Sequence, residues 1–506
     1  MRRTHHGSML YENGLSGLTC MSQELRKISK HSVIYGIGTV SRQITALVML
    51  PIYTRYLSPA DYGAIELLVM ALELVRILIG LRITQAMFRY YVLEDDPVIK
   101  RKVVSTVLVA SFAMSLIGSI AVYFSAEWVA VFLFGGPLYT HELEVIAFTL
   151  LTTTLLTACL TYLQANQEPY KYLVFSLISL VLQVSCNIYF VVSAEMHVLG
   201  VAYASLISGG LMVVILLSYT IKKVGIGFSC EIWRRLVKFV APLILASIGG
   251  FYASYSDKYF IRVFSGISAV GLYVLALRIS TVIETIYTTF NQSWSAIRFE
   301  IYKTEENHNL YQQVFKILSA ALALLGLGLV LFAKDLIFYM TDEAYHDATI
   351  LVPLLVLAVL IRQYVPFFNL GIMIAEKTGY IARASWYKAI VVTALYLYLI
   401  PKYGALGAAA SLCLANLVEV ALVYYYSKGL FDMGLRMRSA FIILAVAAVM
   451  SLIGALMPPG GALPIIYRLL VVVAFMVVIF YLPIWDSSER LFIKRLVARL
   501  RSASGV

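Results

Sequence analysis

Charge is scarce in this chain. Asp, Glu, Lys and Arg make up 13% of its 506 residues, against 61% hydrophobic ones, where a soluble domain carries about 25% charge and 45–50% apolar residues. No polar stretch is left over to build a water-facing domain, so the work of the molecule must be done inside a membrane. Cysteine is scarce too. Cys20, Cys159, Cys186, Cys230 and Cys413 form no CxxC pair, and three of them lie within apolar runs. They read as small buried hydrophobes, not as a disulfide or metal framework. Strict apolar–polar alternation is missing, which argues against a transmembrane β-barrel. A Walker motif is missing, which argues against ATP as the energy source. The opening MRRTHHGSMLYENGLSGLTC holds no apolar core or cleavage pattern. It does not read as a signal peptide, and Met21 is a candidate natural start. His5 and His6 are too few to argue for a metal.

What is present is apolar length. About fourteen stretches between His31 and Trp485 are each long enough to cross a bilayer, with mostly short loops between them. They run 31–57, 62–88, 102–124, 141–165, 170–193, 197–221, 233–257, 267–297, 312–334, 347–373, 378–400, 404–428, 437–457 and 463–485. The expected fold is an all-α integral membrane protein with about 14 transmembrane helices. The net charge of +12 does not call for nucleic acid, because the basic residues sit in short loops and at both ends of the chain. They set orientation instead. Loops with Lys100, Arg101 and Lys102, then Lys222, Lys223, Arg234 and Arg235, alternate with base-poor loops carrying Glu127, Glu142, Glu144, Asp342 and Asp347. Both termini are therefore expected in the cytoplasm, which requires an even number of spans. The tail Ser488–Arg501 places Leu491, Leu496 and Leu500 among Arg and Lys. That pattern suits either a short helix on the inner leaflet or a plain basic tail.

Segments recur roughly 210 residues apart. Gln164-Ala-Asn-Gln-Glu-Pro-Tyr170 returns as Ile374-Ala-Glu-Lys-Thr-Gly-Tyr380, and Leu199-Gly-Val-Ala202 as Leu406-Gly-Ala-Ala409. The turn before Asp61-Tyr62-Gly63 returns before Ala269-Val270-Gly271. Together these predict two six-helix lobes in a pseudo-two-fold repeat, plus two C-terminal helices. The expected layout is a partly disordered cytoplasmic segment over 1–30, lobes over 31–225 and 226–430, two further spans over 431–486, and a basic cytoplasmic tail over 487–506. Two like lobes flanking a cavity would suit alternating access.

Charged groups at bilayer depth are costly and usually face a cavity or a partner. Span 1 carries Ser41, Arg42 and Thr45; span 2 carries Glu66, Glu73, Arg76 and Arg82. Glu73 and Arg76 either neutralise each other or face the cavity, since helical spacing puts them side by side. Span 8 is the most polar. Arg278, Thr281, Glu284, Thr288, Asn291 and Ser295 recur every three or four residues in a helix otherwise made of Leu, Ile, Val and Tyr. Such a stripe packs on polar helices or lines water. The span 4 threonines, Thr149 to Thr161, are better read as bonded to their own backbone. Arg362 and Gln363 lie in span 10, and Asp257 and Lys258 near the outer end of span 7, where snorkelling is easy. Unpaired intramembrane charge is mostly arginine: Arg42, Arg76, Arg278 and Arg362. A guanidinium is always charged and its donor fork fits phosphate oxygens, so the substrate is expected to be an anion such as a diphosphate.

The run Ser32–Tyr90, with Gly38-Thr-Val-Ser41-Arg42 and Tyr56-Leu-Ser-Pro59-Ala-Asp61-Tyr62-Gly63, resembles the polysaccharide-transporter family of the multidrug/oligosaccharidyl-lipid/polysaccharide flippase superfamily. Asp257-Lys258 followed by Ala269-Val-Gly-Leu-Tyr273 resembles its second-half signature. The resemblance covers about spans 1 to 12 and rests on short motifs. It implies a flippase carrying an O-antigen or exopolysaccharide repeat unit on polyprenyl diphosphate, from the cytoplasmic to the periplasmic leaflet of the bacterial inner membrane. Polysaccharide polymerase and chain-length machinery would be partners, beside membrane lipids. Arg42, Arg278 and one of Arg76 or Arg82 match positions that the lipid II branch uses for the diphosphate, and Arg362 is a further candidate. Ser41, Thr45, Glu73, Thr281, Glu284, Thr288 and Asn291 would line the cavity. No cofactor is expected. A proton or sodium gradient would couple through Glu284 or Asp257, because a carboxylate titrates as its surroundings close. The alternatives are a multidrug or cation antiporter of the same superfamily, and a membrane-embedded polysaccharide polymerase or glycosyltransferase. The first would want an acidic cavity; the second, an extended outer loop with clustered catalytic residues.

Overall fold

The computed structural model describes residues 49–79, 83–303, 308–457 and 461–485. Ser41, Arg42, Thr45 and Arg82, with both chain ends, lie outside the described residues. Among the described residues there is no strand, as the all-α reading requires. Ten helical segments among the described residues are long and apolar enough to cross a membrane. In hydrocarbon a helix is the one open-ended structure that bonds all its backbone groups internally, and continuous apolar runs leave no other choice.

The chain runs as α1 (49–56), α2 (Pro59–Leu78), α3 (Ile83–Leu93), α4 (Pro97–Phe134), α5 (Thr140–Ala147), α6 (Thr149–Ala165), α7 (Pro169–Asn187) and α8 (His197–Val224). It continues as α9 (Cys230–Ser265), α10 (Ile267–Ser280), α11 (Val282–Lys303), α12 (His308–Met340), α13 (Val352–Arg362), α14 (Val365–Phe368) and α15 (Leu370–Ile374). The last three are α16 (Gly379–Lys428), α17 (Met437–Ala455) and α18 (Ala462–Tyr481). Local signals set the ends. Asp96 caps α4 by accepting from the Val98 N–H at 2.8 Å, Pro97 occupies the first turn, and Gly135 ends it in the left-handed conformation. The apolar residues Ser125–Phe134, expected in an outer loop, instead extend α4, which leaves 135–139 as the connection. Several expected spans are broken. Span 4 divides at Phe148 into α5 and α6, span 8 at Thr281 into α10 and α11, and span 10 into α13, α14 and α15. Spans 11 and 12 are joined in α16, which bends at Gly404 (φ 57) just after Pro401.

The chain forms two compact units. One comprises residues 1–57 and 67–251; its core packs Ile83 and Met87 of α3, Val104 and Val107 of α4, Leu163 of α6, Leu216 of α8, and Leu236 and Val240 of α9. The other comprises 58–66 and 252–506. There α12 packs on α17 and α18 through Leu327, Leu331, Ile443 and Phe475, and α13 packs on α16 through Ala358, Ile361 and Cys413. This division differs from the lobe boundary at 225/226. Leu236 and Val240 in the first half of α9 are buried in the first unit's core, while Tyr252 bonds Thr393 in the second.

The repeated segments share local structure. Gln167 and Glu376 both take left-handed backbone, each at φ 55. Both close the same double turn: Gln167 N–H to Gln164 O and Glu168 N–H to Leu163 O, then Glu376 N–H to Met373 O and Lys377 N–H to Ile372 O. The second is one residue out of the register read from sequence. Gly200 and Gly407 both lie on a carbonyl of the preceding helical end, Phe190 O and Leu399 O, where a Cβ has no room.

Candidate functional site

The site is built where α2 meets α10 in the second unit. Ser58 and Asp61 cap α2 reciprocally: Ser58 N–H and Oγ donate to Asp61 Oδ2 at 3.1 and 2.8 Å, and Asp61 N–H donates to Ser58 Oγ at 3.1 Å. One turn on, Gly63 rests on the carbonyl of Ile267, and Gly271 rests on the carbonyl of Pro59. Each glycine sits four residues after the carbonyl its partner occupies, so the contact is reciprocal. A side chain on either would collide with backbone, and this close approach fixes the two helices against each other.

That crossing carries Tyr62 and Glu66 inward. Glu66 is 4% exposed. Its carboxylate receives two cations. Lys258 Nζ of α9 donates to Oε2 at 3.1 Å, and the Arg278 guanidinium of α10 donates to Oε1. Beside them Asp257 accepts from the Tyr273 hydroxyl at 2.9 Å and from the Lys258 N–H at 2.8 Å. Lys258 also lies 4.4 Å from the Tyr255 ring, and Arg278 lies 5.8 Å from the Tyr62 ring. Asp257 and Lys258 are thus both buried, not snorkelled to the end of a span. Two carboxylates and two cations within one buried cluster satisfy the condition for charge at membrane depth.

Arg278 differs from its partners. Its side chain is 41% exposed, while that of Lys258 is 9%. It stands at the end of α10 where the open face of α11 begins. On α11, Ile283, Tyr287, Trp294, Arg298 and Ile301 are buried. Trp294 stacks on Phe367 at 5.5 Å, and Arg298 donates to Pro366 O at 2.7 Å and to Asn369 Oδ1 at 3.0 Å. The opposite side shows Thr285, Thr288 and Gln292 exposed and Glu284 half-exposed. A polar face of this kind cannot lie against acyl chains, so it borders water. Thr281 and Thr288 bond carbonyls one turn back, at 2.9 and 2.8 Å, and Glu284 has no ion pair among the described residues. Asn291 is half-buried, with an amide oxygen that meets no donor.

The expectation of unpaired arginines needs correction. Arg76 bonds Glu73 at 3.1 Å within α2, in the first unit, with both side chains about a third exposed. Arg278 is bonded to Glu66. Arg362, at the end of α13, is exposed and makes no ion pair among the described residues. The structure therefore gathers Asp257, Arg278, Thr281, Glu284 and Thr288 along one stretch of the second unit, and pairs Glu73 with Arg76 in the first. The span 4 threonines bond their own helix, as with Thr153 to Thr149 O at 2.7 Å and Thr161 to Thr157 O at 2.8 Å. Sequence reasoning noticed Glu66 but assigned it no role, and it missed the buried Lys388–Glu419 pair (2.7 Å) and the Arg468–Asp335 pair. Intramembrane charge was the signal in each case; the partner lies too far away along the chain to be read from spacing.

The sequence matches the model of a family described as polysaccharide biosynthesis protein over residues 28–295. No curated protein matches it. Among solved structures it is similar to the lipid II flippase MurJ in an inward closed conformation, with 16% identity and a TM-score of 0.71 over 88% of this chain and 99% of that one. It is similar to an inward-facing multidrug resistance MATE family transporter of the MOP superfamily, with 14% identity and a TM-score of 0.58 over 76% and 94%. It is also similar to the MATE multidrug transporter DinF-BH, with 14% identity and a TM-score of 0.53 over 79% and 95%. At these identities the likeness is one of fold. With more than half of its 506 residues matched by the family model, this chain belongs to the polysaccharide biosynthesis protein family and has the fold of MOP-superfamily flippases and transporters.

Proposed function

We propose that the chain is a flippase that moves a polyprenyl-diphosphate-linked oligosaccharide, an O-antigen or exopolysaccharide repeat unit, from the cytoplasmic to the periplasmic leaflet by alternating access. The observation that carries this reading is the exposed polar face of α10 and α11, with Arg278 at its head and Glu284, Thr288 and Gln292 along it. A sugar head cannot enter hydrocarbon because its hydroxyls would lose their water partners. A wet polar face removes that penalty, and a guanidinium receives the diphosphate. Arg42, Arg362 and a span 2 arginine, Arg76 or Arg82, are the further candidates for the phosphates. Glu284 and Asp257 are the candidates for coupling to a proton or sodium gradient. The site belongs to a protein of the inner membrane with both termini in the cytoplasm, working beside polymerase and chain-length machinery.

The test is flipping in proteoliposomes. A fluorescent polyprenyl-diphosphate saccharide is reconstituted with the purified protein, and the fraction reached by an impermeant quencher is followed in time. The wild type is expected to flip it and Arg278→Ala to lose most of the rate. Equal rates would remove Arg278 from the phosphate site. The half-exposed Glu284 favours a second reading, an antiporter of cations; uptake of a cationic dye without flipping would select it. Transport indifferent to collapse of the ion gradients would remove the coupling role.

A further inference from the structure

We infer that Glu66 is a resident counter-ion that occupies the phosphate-binding fork of Arg278 when no substrate is present, and that Lys258 holds Glu66 when the substrate takes its place. This rests on the reading that an anionic headgroup docks at Arg278. The geometry points to it in three ways. First, the Glu66 carboxylate divides its oxygens: Oε1 receives Arg278 and Oε2 receives Lys258. Second, the two cations are unequal in access. Lys258 is enclosed, whereas Arg278 opens onto the polar face of α11. Third, Asp257 is taken up by the Tyr273 hydroxyl and the Lys258 N–H, so it does not compete for Arg278.

The electrostatics follow. A guanidinium at membrane depth with no anion is costly, so a transporter that empties its site on each cycle needs something to replace the phosphate. Glu66 does this through the same oxygen chemistry that a phosphate offers. Its second bond then decides reversibility. When Arg278 turns to a diphosphate, Glu66 keeps the Lys258 ammonium and is not stranded as a buried lone charge. Without Lys258, Glu66 would have to hold Arg278 permanently. Glu66 is therefore a positioning residue that weakens substrate binding by design and speeds release.

The experiment measures binding of farnesyl diphosphate to the purified full-length protein in detergent, together with flipping in proteoliposomes. Glu66→Gln keeps the shape and removes the competing charge. It is expected to bind farnesyl diphosphate on the order of tenfold more tightly, and to flip more slowly at saturating substrate because release is slowed. Lys258→Met is expected to do the opposite and weaken binding by about tenfold, since Glu66 is left with Arg278 alone. The double variant Glu66→Gln/Lys258→Met is expected to bind as tightly as Glu66→Gln; a merely structural role for Lys258 would not be cancelled by removing Glu66. Circular dichroism and melting confirm that each variant is folded. Farnesyl monophosphate at the same concentration tells a diphosphate requirement from simple charge. If Arg278→Ala abolishes binding while Glu66→Gln leaves affinity unchanged or lowers it, the counter-ion role is overturned and the docking reading stands. If Arg278→Ala leaves binding intact in both backgrounds, the docking reading fails and this inference with it.

Discussion

Glu73 and Arg76 show what a single pair at membrane depth contributes. They are three residues apart on one helix, so spacing put them side by side but left open whether they pair or face a cavity; the structure pairs them. Both side chains are about a third exposed, which limits the coupling. A double-mutant cycle of Glu73→Gln and Arg76→Gln, read by melting in detergent, is expected to give less than about 1 kcal/mol. Glu66 is the contrary case. Its partner Arg278 is 212 residues away in sequence, and nothing in either local pattern joins them. The Tyr273 hydroxyl, also invisible in sequence, is the side-chain donor to Asp257. Tyr273→Phe removes that bond from a buried carboxylate and is expected to cost about 1–3 kcal/mol of stability, seen as a lower melting temperature. Outside the membrane, Glu168 before α7 offers a pH readout. Burial acts to raise its carboxyl, but hydrogen bonds from Lys171 and Tyr219 prevail and hold it below the usual carboxylate range. A folded-state value that is lowered contributes stability above the ordinary value. That contribution should vanish as pH falls through the acid end of the carboxylate range, and Glu168→Gln should flatten this part of the melting-temperature profile.

At the scale of elements, apolar length was legible and helix breaks were not. Periodicity places a span but does not say where tertiary packing interrupts it, as at Phe148, at Thr281 and between α13 and α15. The two-faced character of α11 was half legible. The stripe of Glu284 and Thr288 stood out, whereas the opposing face of Tyr287, Trp294 and Arg298 hid among aromatic residues common throughout the chain. The faces should separate by experiment. Trp294→Ala opens a buried stack and is expected to destabilise by about 3–5 kcal/mol, while Thr288→Ala on the exposed side should leave melting unchanged. The crossing of α2 and α10 sets a stricter test. Gly63→Ala and Gly271→Ala each place a methyl group against the partner's backbone carbonyl. Each is expected to cost about 1–3 kcal/mol and to reduce flipping, because the helices that present Glu66 and Arg278 must separate. The double variant should fall short of the sum, since one displacement relieves both clashes.

For the whole molecule, the division into crossings was the most legible property, because apolar runs and loop charges do not depend on tertiary contacts. The unit boundaries were less so: the division at 251/252 falls inside one continuous helix, α9, just after Gly249 and Gly250. Topology is also open to a test that needs no function. Leu138 lies exposed in the connection after α4, and Cys230 is exposed at the start of α9. Between them the chain makes three crossings, through α5–α6, α7 and α8, so the two positions must lie on opposite sides of the membrane. If α9 crosses as the α10–α11 pair and α12 do, there are three more from Cys230 to Asp342, which would return Asp342 to the side of Leu138. Parity fixes that much, and the charge bias supplies the sign: Lys222, Lys223, Arg234 and Arg235 flank Cys230 and should retain it in the cytoplasm. In intact cells, an impermeant maleimide is expected to label Leu138→Cys and Asp342→Cys introduced into a cysteine-free background, and to leave a chain carrying Cys230 alone unlabelled until the membrane is opened. Labelling of Cys230 alone in intact cells would invert the orientation. Labelling of Leu138→Cys without Asp342→Cys would break the parity, which would mean that α9 or the α10–α11 pair does not cross.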